Sequence, residues 1–162
     1  MVGAKAGCIP FPVDGGDCRG MTTIAYRDGM LAADTVVTEN GYRVGSVQKI
    51  GQIGEVLFGV CGVMAHMVEF RDWIRRGLVG TPPSVMAVAD DGGSTAMIVY
   101  RDHILCWDRD RWDMMRAPFY AMGTGAKAAL GAMAAGATAE EAVAAAILCD
   151  TASGGPITIL RR

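Results

Sequence analysis

The sequence predicts an α+β domain built from antiparallel sheet with helices packed on its faces. Three features carry that prediction: hairpin signals at Asp28-Gly29 and Arg101-Asp102, a stretch of helical spacing between them, and two consecutive helices followed by a closing strand. Hairpins first, helices together and a last strand are the element order of such a fold.

Residues 1–20 are rich in Gly and Pro and hold no sustained period, so they read as a loose leader. Order begins at Met21. Residues 22–27 form a short strand with β-branched and aromatic residues, Asp28-Gly29 makes the turn, and 30–35 return as the second strand. A Gly-punctuated stretch through Gly41 and Gly45 leads to residues 46–50, and 55–60 form another apolar strand. After Gly62 the period changes: Val63, Met67, Phe70 and Ile74 fall at helical spacing, with Gly77 as a stop. Residues 81–83 break the chain, and 96–100 with 103–107 form the second hairpin. An Ala-rich helix covers 126–135, and Thr138 with Glu141 makes a capping-box start for a helix running to about Cys149. Residues 156–160 close as a β-branched strand. The two adjacent helices carry few large apolar residues, which suits close helix packing and equally a helix-to-helix contact between subunits.

The 162 residues suffice for one compact domain with a real core. At 51% hydrophobic and 20% charged, the chain is too apolar to be disordered. A formal charge of -2 leaves no basic footprint for nucleic acid. No segment approaches the roughly 20 apolar residues that span a bilayer. Neither nucleic acid nor membrane is therefore an expected partner. Cys8, Cys18, Cys61, Cys106 and Cys149 are odd in number and form no CxxC pair, so neither a disulfide framework nor a zinc site is expected. Cys61 and Cys149 sit in apolar runs and read as small buried hydrophobes. With one lysine and no long apolar stretch at the N-terminus, a secretory signal is not expected, and the cytoplasm is the expected home.

Candidate chemistry comes from a set of residues in fixed order. A threonine hydroxyl is a poor nucleophile at neutral pH and needs a base. When threonine is the first residue its own α-amine can serve, since that amine has a pKa of about 8. A neighbouring ammonium lowers it further, a carboxylate holds that ammonium, and a glycine N–H receives the developing oxyanion. Thr22-Thr23 opens the first strand, Asp34 ends the second, Lys49 follows in Val47-Gln48-Lys49-Ile50, and Gly62 comes just after a strand and before a helix.

The segments TTIAYRDGMLAAD, SVQKI, FGVCG, MGTG and DTASGG occur in the order, and near the spacing, found in proteasome β-subunits and the bacterial HslV peptidase. The chain from Met21 onward resembles that family of N-terminal-nucleophile hydrolases. The resemblance implies a four-layer αββα sandwich over residues 22–162, with 1–21 as a leader, a propeptide or a mis-assigned start. It implies Thr22 as nucleophile, Asp34 and Lys49 as its conserved Asp and Lys, and Gly62 as the oxyanion-hole glycine. Thr124 falls where the family has a serine near the amine, and Asp150 and Ser153 fall on its DxxSGG motif. The implied activity is threonine-type hydrolysis of peptide bonds with no cofactor and no metal. Implied partners are a peptide or unfolded protein as substrate, further copies of the chain in a homo-oligomeric ring, and an ATPase unfoldase.

This chain departs from the family pattern at several points. The first hairpin is short, Thr124 replaces serine, and residue 21 is Met where self-cleaving relatives carry glycine. A free Thr22 then requires either a start at Met21 with the methionine removed by an aminopeptidase, the preferred route, or self-cleavage of residues 1–21. Two other functions stay open: a small-amide hydrolase of the same class, and a non-catalytic scaffold with Thr22 unprocessed. Singly, Asp34 reads as a strand cap, Lys49 as a surface lysine, and Gly62 and Ser153 as turn residues; only their joint register gives them roles. Asp108-Arg109-Asp110-Arg111 and Asp113 read as a solvated, salt-bridged loop, and His66 and His103 as structural. Val60 and Cys61 suggest a modest apolar substrate pocket at most.

Overall fold

The computed structural model describes residues 21–62, 64–83, 94–108 and 111–162. The leader expected over 1–20, Val63 of the helical stripe, and Arg109-Asp110 of the charged run lie outside the described residues.

The described residues open with two hairpins. β1 (Thr23–Arg27) and β2 (Met30–Ala33) turn through Asp28 and Gly29, whose φ values of 49° and 78° are those of a type I′ turn. β3 (Val36–Glu39) and β4 (Tyr42–Ser46) turn the same way through Asn40 and Gly41, at φ 50° and 80°. This second hairpin corrects the looser reading of residues 36–45. Asn-Gly was the signal for it, and the flanking strands lack the apolar alternation that draws the eye.

Next come β5 (Ile50–Ile53), β6 (Val56–Cys61), α1 (Met64–Arg75), β7 (Thr95–Tyr100), β8 (His103–Asp108), β9 (Arg111–Met115) and β10 (Phe119–Gly123). α2 (Ala126–Ala134), α3 (Ala139–Cys149) and β11 (Thr158–Arg161) complete the order. Among the described residues the strands form a four-stranded sheet ordered β10-β1-β2-β11, a five-stranded sheet in sequence order from β5 to β9, and the two-stranded β3-β4 ribbon. Every strand pairing among the described residues is antiparallel. The charged run expected as a loop is thus partly strand, with Asp108 ending β8 opposite Arg111 at the start of β9.

The period of two explains why the central strands read as apolar throughout. Ile24 and Tyr26 of β1, and Leu31 and Ala33 of β2, share one cluster with Leu57, Cys61, Met97 and Val99 of the other sheet. Ala25 and Ala32 point the opposite way, into a cluster with Ala129, Met133, Ala142, Val143 and Ala146 of α2 and α3. On the larger sheet, Phe58, Val60, Ala96 and Ile98 alternate with the inter-sheet residues and meet Phe70, Trp73 and Ile74 of α1. Both faces of each sheet are covered, so strict apolar–polar alternation is absent.

Alanine at the helix–sheet contacts allows α2 and α3 to lie close to β1 and β2. The α3 start is the expected capping box: Glu141 N–H donates to Thr138 Oγ1 at 3.2 Å, and Thr138 N–H donates to Glu141 Oε2 at 2.8 Å. α1 stops as expected at Gly77, at φ 79°, with Leu78 N–H donating to Trp73 O at 3.2 Å. Cys149 is exposed, correcting its reading as a buried hydrophobe: it ends α3 beside Leu148, which is 88% exposed and points away from the sheet.

Phe70 anchors α1. It is 1% exposed and meets Trp73 and Trp112 edge-on, at centroid distances of 6.3 and 6.0 Å. Phe70→Ala is expected to cost about 3–5 kcal/mol, from lost burial plus the cavity it leaves. A lower urea midpoint at unchanged slope would show it.

Candidate active site

The ends of β1, β2, β10 and α3, with Lys49 just before β5, bring two polar clusters together at Thr22 and Thr23. The first is centred on Asp34, which follows β2 and is fully buried. Both of its oxygens lie 3.0 Å from Lys49 Nζ. Thr23 N–H donates to Asp34 Oδ1 at 2.9 Å, and Gly154 N–H donates to Oδ2 at 3.0 Å. A buried carboxylate with a cation and two amide donors has its lone pairs satisfied, which is the condition for keeping a charge in the interior. Lys49 is 7% exposed, and burial pulls its ammonium below the ordinary lysine range against the opposing pull of Asp34. Its Nζ also donates to the carbonyl of Met21 at 3.0 Å, the group immediately preceding Thr22. Thr22 itself is 4% exposed.

The second cluster is centred on Asp150, the residue that caps the C-terminus of α3. Thr124 Oγ1 donates to Asp150 Oδ2 at 2.6 Å and Ser153 Oγ donates to the same oxygen at 2.7 Å. Ala152 N–H donates to Oδ1 at 3.1 Å. Partial burial pushes the Asp150 carboxyl up, but these three donors and the Lys49 charge outweigh it and hold the group below the usual aspartate range. Its stabilising contribution is therefore complete above an unfolded pKa of about 3.9 and is lost as pH falls through the lower folded value. Ser153 Oγ lies 2.7 Å from Thr23 Oγ1, so the cluster reaches β1 through the second threonine.

The DTASGG loop joins the clusters. Besides the Gly154 N–H bond to Asp34, Gly154 O accepts from Thr35 N–H at 3.1 Å and Val36 N–H at 2.9 Å. The segment after α3 is thereby stitched to the end of β2.

Of two glycines at strand ends, Gly123 meets Thr22 and Gly62 meets Ser94. Gly62 follows β6 at φ 118°, and a Cβ there would strike the Ser94 side chain and lie 2.7 Å from its Cα. Gly62→Ala is expected to destabilise by about 1–3 kcal/mol and to displace its N–H, which thermal unfolding together with turnover would register. Gly123 ends β10 at φ 97°, and a Cβ there would strike the Thr22 carbonyl and lie 3.3 Å from Cys61 Sγ. Thr23 and Gly123 were not singled out from sequence. The signals were the second Thr of the TT pair and the first glycine of Gly123-Thr124-Gly125.

Val60 and Cys61 do not line one pocket. Val60 packs towards α1, and Cys61 lies between the sheets, where burial pushes its thiol up to about 12. His66 Nδ1 lies 2.7 Å from Ser94 Oγ, and His103 Nδ1 lies 2.7 Å from Asp102 Oδ1. No helix among the described residues is long and apolar enough to cross a membrane.

No protein-family model matches the sequence, and no curated protein matches it. The fold does match solved structures. Thiobacillus denitrificans BPH in complex with epoxomicin is similar with a TM-score of 0.62 and 22% identity, over 86% of this chain and 96% of that one. BPH alone gives 0.62 and 22% over 86% and 95%. Eukaryotic HslV from Trypanosoma brucei gives 0.59 and 18% over 86% and 99%. The fold is of the HslV type: mixed α and β, with antiparallel sheets and, among the described residues, three helices.

Proposed function

We propose that the chain is a threonine-type peptidase on a four-layer αββα sandwich, with Thr22 as nucleophile once it is the first residue. The observation that carries this is the buried Lys49–Asp34 pair, with Lys49 Nζ 3.0 Å from the carbonyl that precedes Thr22, at one site of an HslV-type fold. A buried ion pair is a poor device for stability alone. Beside a threonine amine, it supplies the positive charge that keeps the amine neutral near working pH.

In this reading the Thr22 hydroxyl proton passes to the α-amine as Oγ bonds to the scissile carbonyl carbon. The Gly62 N–H receives the carbonyl oxygen's developing charge. The C–N bond then breaks, the departing amine takes the proton, and an ester remains on Thr22. Water hydrolyses the ester by the same relay. Asp34 fixes Lys49, while Asp150, Ser153 and Thr124 fix the start of β1. Substrates are peptides or unfolded proteins, and the expected assembly is a homo-oligomeric ring served by an ATPase unfoldase. Native mass spectrometry tests the ring.

The scaffold reading retains one observation of its own. Met21 is seated, with its carbonyl on Lys49 and its Sδ accepting from Thr38 Oγ1 at 3.0 Å. N-terminal sequencing beside a peptide-hydrolysis assay separates the two.

The pH dependence has a definite sign. The α-amine acts as base only when neutral, so hydrolysis is expected to rise about tenfold per pH unit below the amine pKa. The rise levels off at or below about 8. Lys49→Met removes the neighbouring positive charge, so any residual activity should show that midpoint moved upward. A pH–rate profile of kcat/KM for both forms is the check.

A further inference from the structure

We propose that a cavity between β7, β8 and β10 is a subsite for an apolar side chain, that of the residue following the scissile bond of a peptide substrate. Its volume is about 230 Å³, and Thr95, Cys106, Tyr120, Met122 and Gly123 line it. A cavity of roughly 150 Å³ already admits benzene, so this one has room for a leucine or phenylalanine side chain. Its lining suits such an occupant. Met122 belongs to the inter-sheet core, and burial raises the Cys106 thiol pKa, which keeps the group neutral.

The cavity shares a wall with residue 22. Gly123 lies opposite Thr23 in the β1–β10 register, and a Cβ on Gly123 would strike the Thr22 carbonyl. Only a residue without a side chain separates the two. The acyl side of the site lies elsewhere. Met21, whose carbonyl belongs to the bond that frees Thr22, sits with its carbonyl at Lys49 and its sulfur at Thr38 of β3. An acyl group on Thr22 Oγ takes the place of Met21, which puts the leaving-group side towards Gly123 and the cavity. The location of the cavity stands on geometry alone; naming its occupant rests on Thr22 being the nucleophile.

The test uses Cys106 as a reporter in the full chain carrying C8S, C18S and C149S, which leaves Cys61 and Cys106 as its thiols. Cys61 is buried and Cys106 only partly so; at alkaline pH, where the raised Cys106 thiol begins to ionise, Cys106 is therefore the group iodoacetamide should alkylate, as peptide mass mapping would show. N-acetyl-phenylalanine methylamide at millimolar concentration is expected to slow that alkylation several-fold, and N-acetyl-alanine methylamide to leave it unchanged. Equal rates with both amides, or no alkylation until the chain is denatured, would overturn the subsite. In peptides varied on either side of the cleaved bond, Cys106→Phe should lower kcat/KM for Phe or Leu after the bond at least tenfold more than for Ala there. Selectivity lost only at the residue before the bond would overturn the assignment of sides. If no peptide is cleaved by any form, the peptidase reading fails, while amide protection still reports whether the cavity binds an apolar side chain.

Discussion

Thr22→Ala, in a chain that begins at residue 22, is expected to lower peptide hydrolysis by more than about 10⁴-fold, because no other group takes over the role of an attacking atom. The fold should survive. Thr22 is buried at the edge of β1, and losing its hydroxyl and methyl costs about 1 kcal/mol. Thr22→Ser keeps the hydroxyl and the amine and should retain measurable turnover. An activity loss far larger than the small shift in the unfolding midpoint that about 1 kcal/mol produces separates a chemical role from a structural one. Equal activity in Thr22→Ala and the parent would remove Thr22 from the chemistry.

Removing Asp34 is expected to lower stability as much as removing the Phe70 ring. Asp34→Ala leaves the Lys49 ammonium buried without its partner and takes the acceptor from Thr23 N–H and Gly154 N–H. Breaking one side of a buried pair costs about 3–5 kcal/mol. For a domain of this size that lowers Tm by roughly 10 °C or more. Lys49→Met should cost less, because two amide donors still hold the carboxylate. The double variant Asp34→Asn with Lys49→Met should recover part of the loss while remaining inactive. A double-mutant cycle from denaturant unfolding measures the coupling, and additive losses would mean that the pair does not act as one unit.

The parts of the fold legible in the sequence are those with a local signal. Asp28-Gly29 placed the first hairpin, and Thr138 with Glu141 placed the start of α3, because both signals are read within four residues. The β3-β4 ribbon escaped although Asn40-Gly41 marked its turn, since β4 is exposed along its whole length and shows no burial pattern. β9 and β10 escaped for different reasons. β9 pairs locally with β8 but begins in the alternating charged run that reads as a loop, whereas β10 is fixed by its pairing with β1, about a hundred residues away in the chain.

The candidate site divides in the same way. Asp34, Lys49, Asp150, Ser153 and Thr124 are expected from their order along the chain, and they lie in two linked clusters. The join itself was not legible. It depends on Gly154 N–H reaching Asp34 across 120 residues and on Thr23 meeting Ser153 across 130. Val60 and Cys61 misled because adjacent strand residues face opposite sides of a sheet. The cavity proposed above as a subsite lies beyond Gly123 instead.

The central claim is that a free amine on Thr22 makes the enzyme. The most direct test measures peptide hydrolysis against the fraction of chains that begin at Thr22, with that fraction read by intact mass and N-terminal sequencing across preparations expressed from Met1 and from Met21. The account predicts activity proportional to that fraction and passing through zero when every chain retains Met21. Full activity in chains that still carry Met21, or none in chains that begin at Thr22, would contradict it.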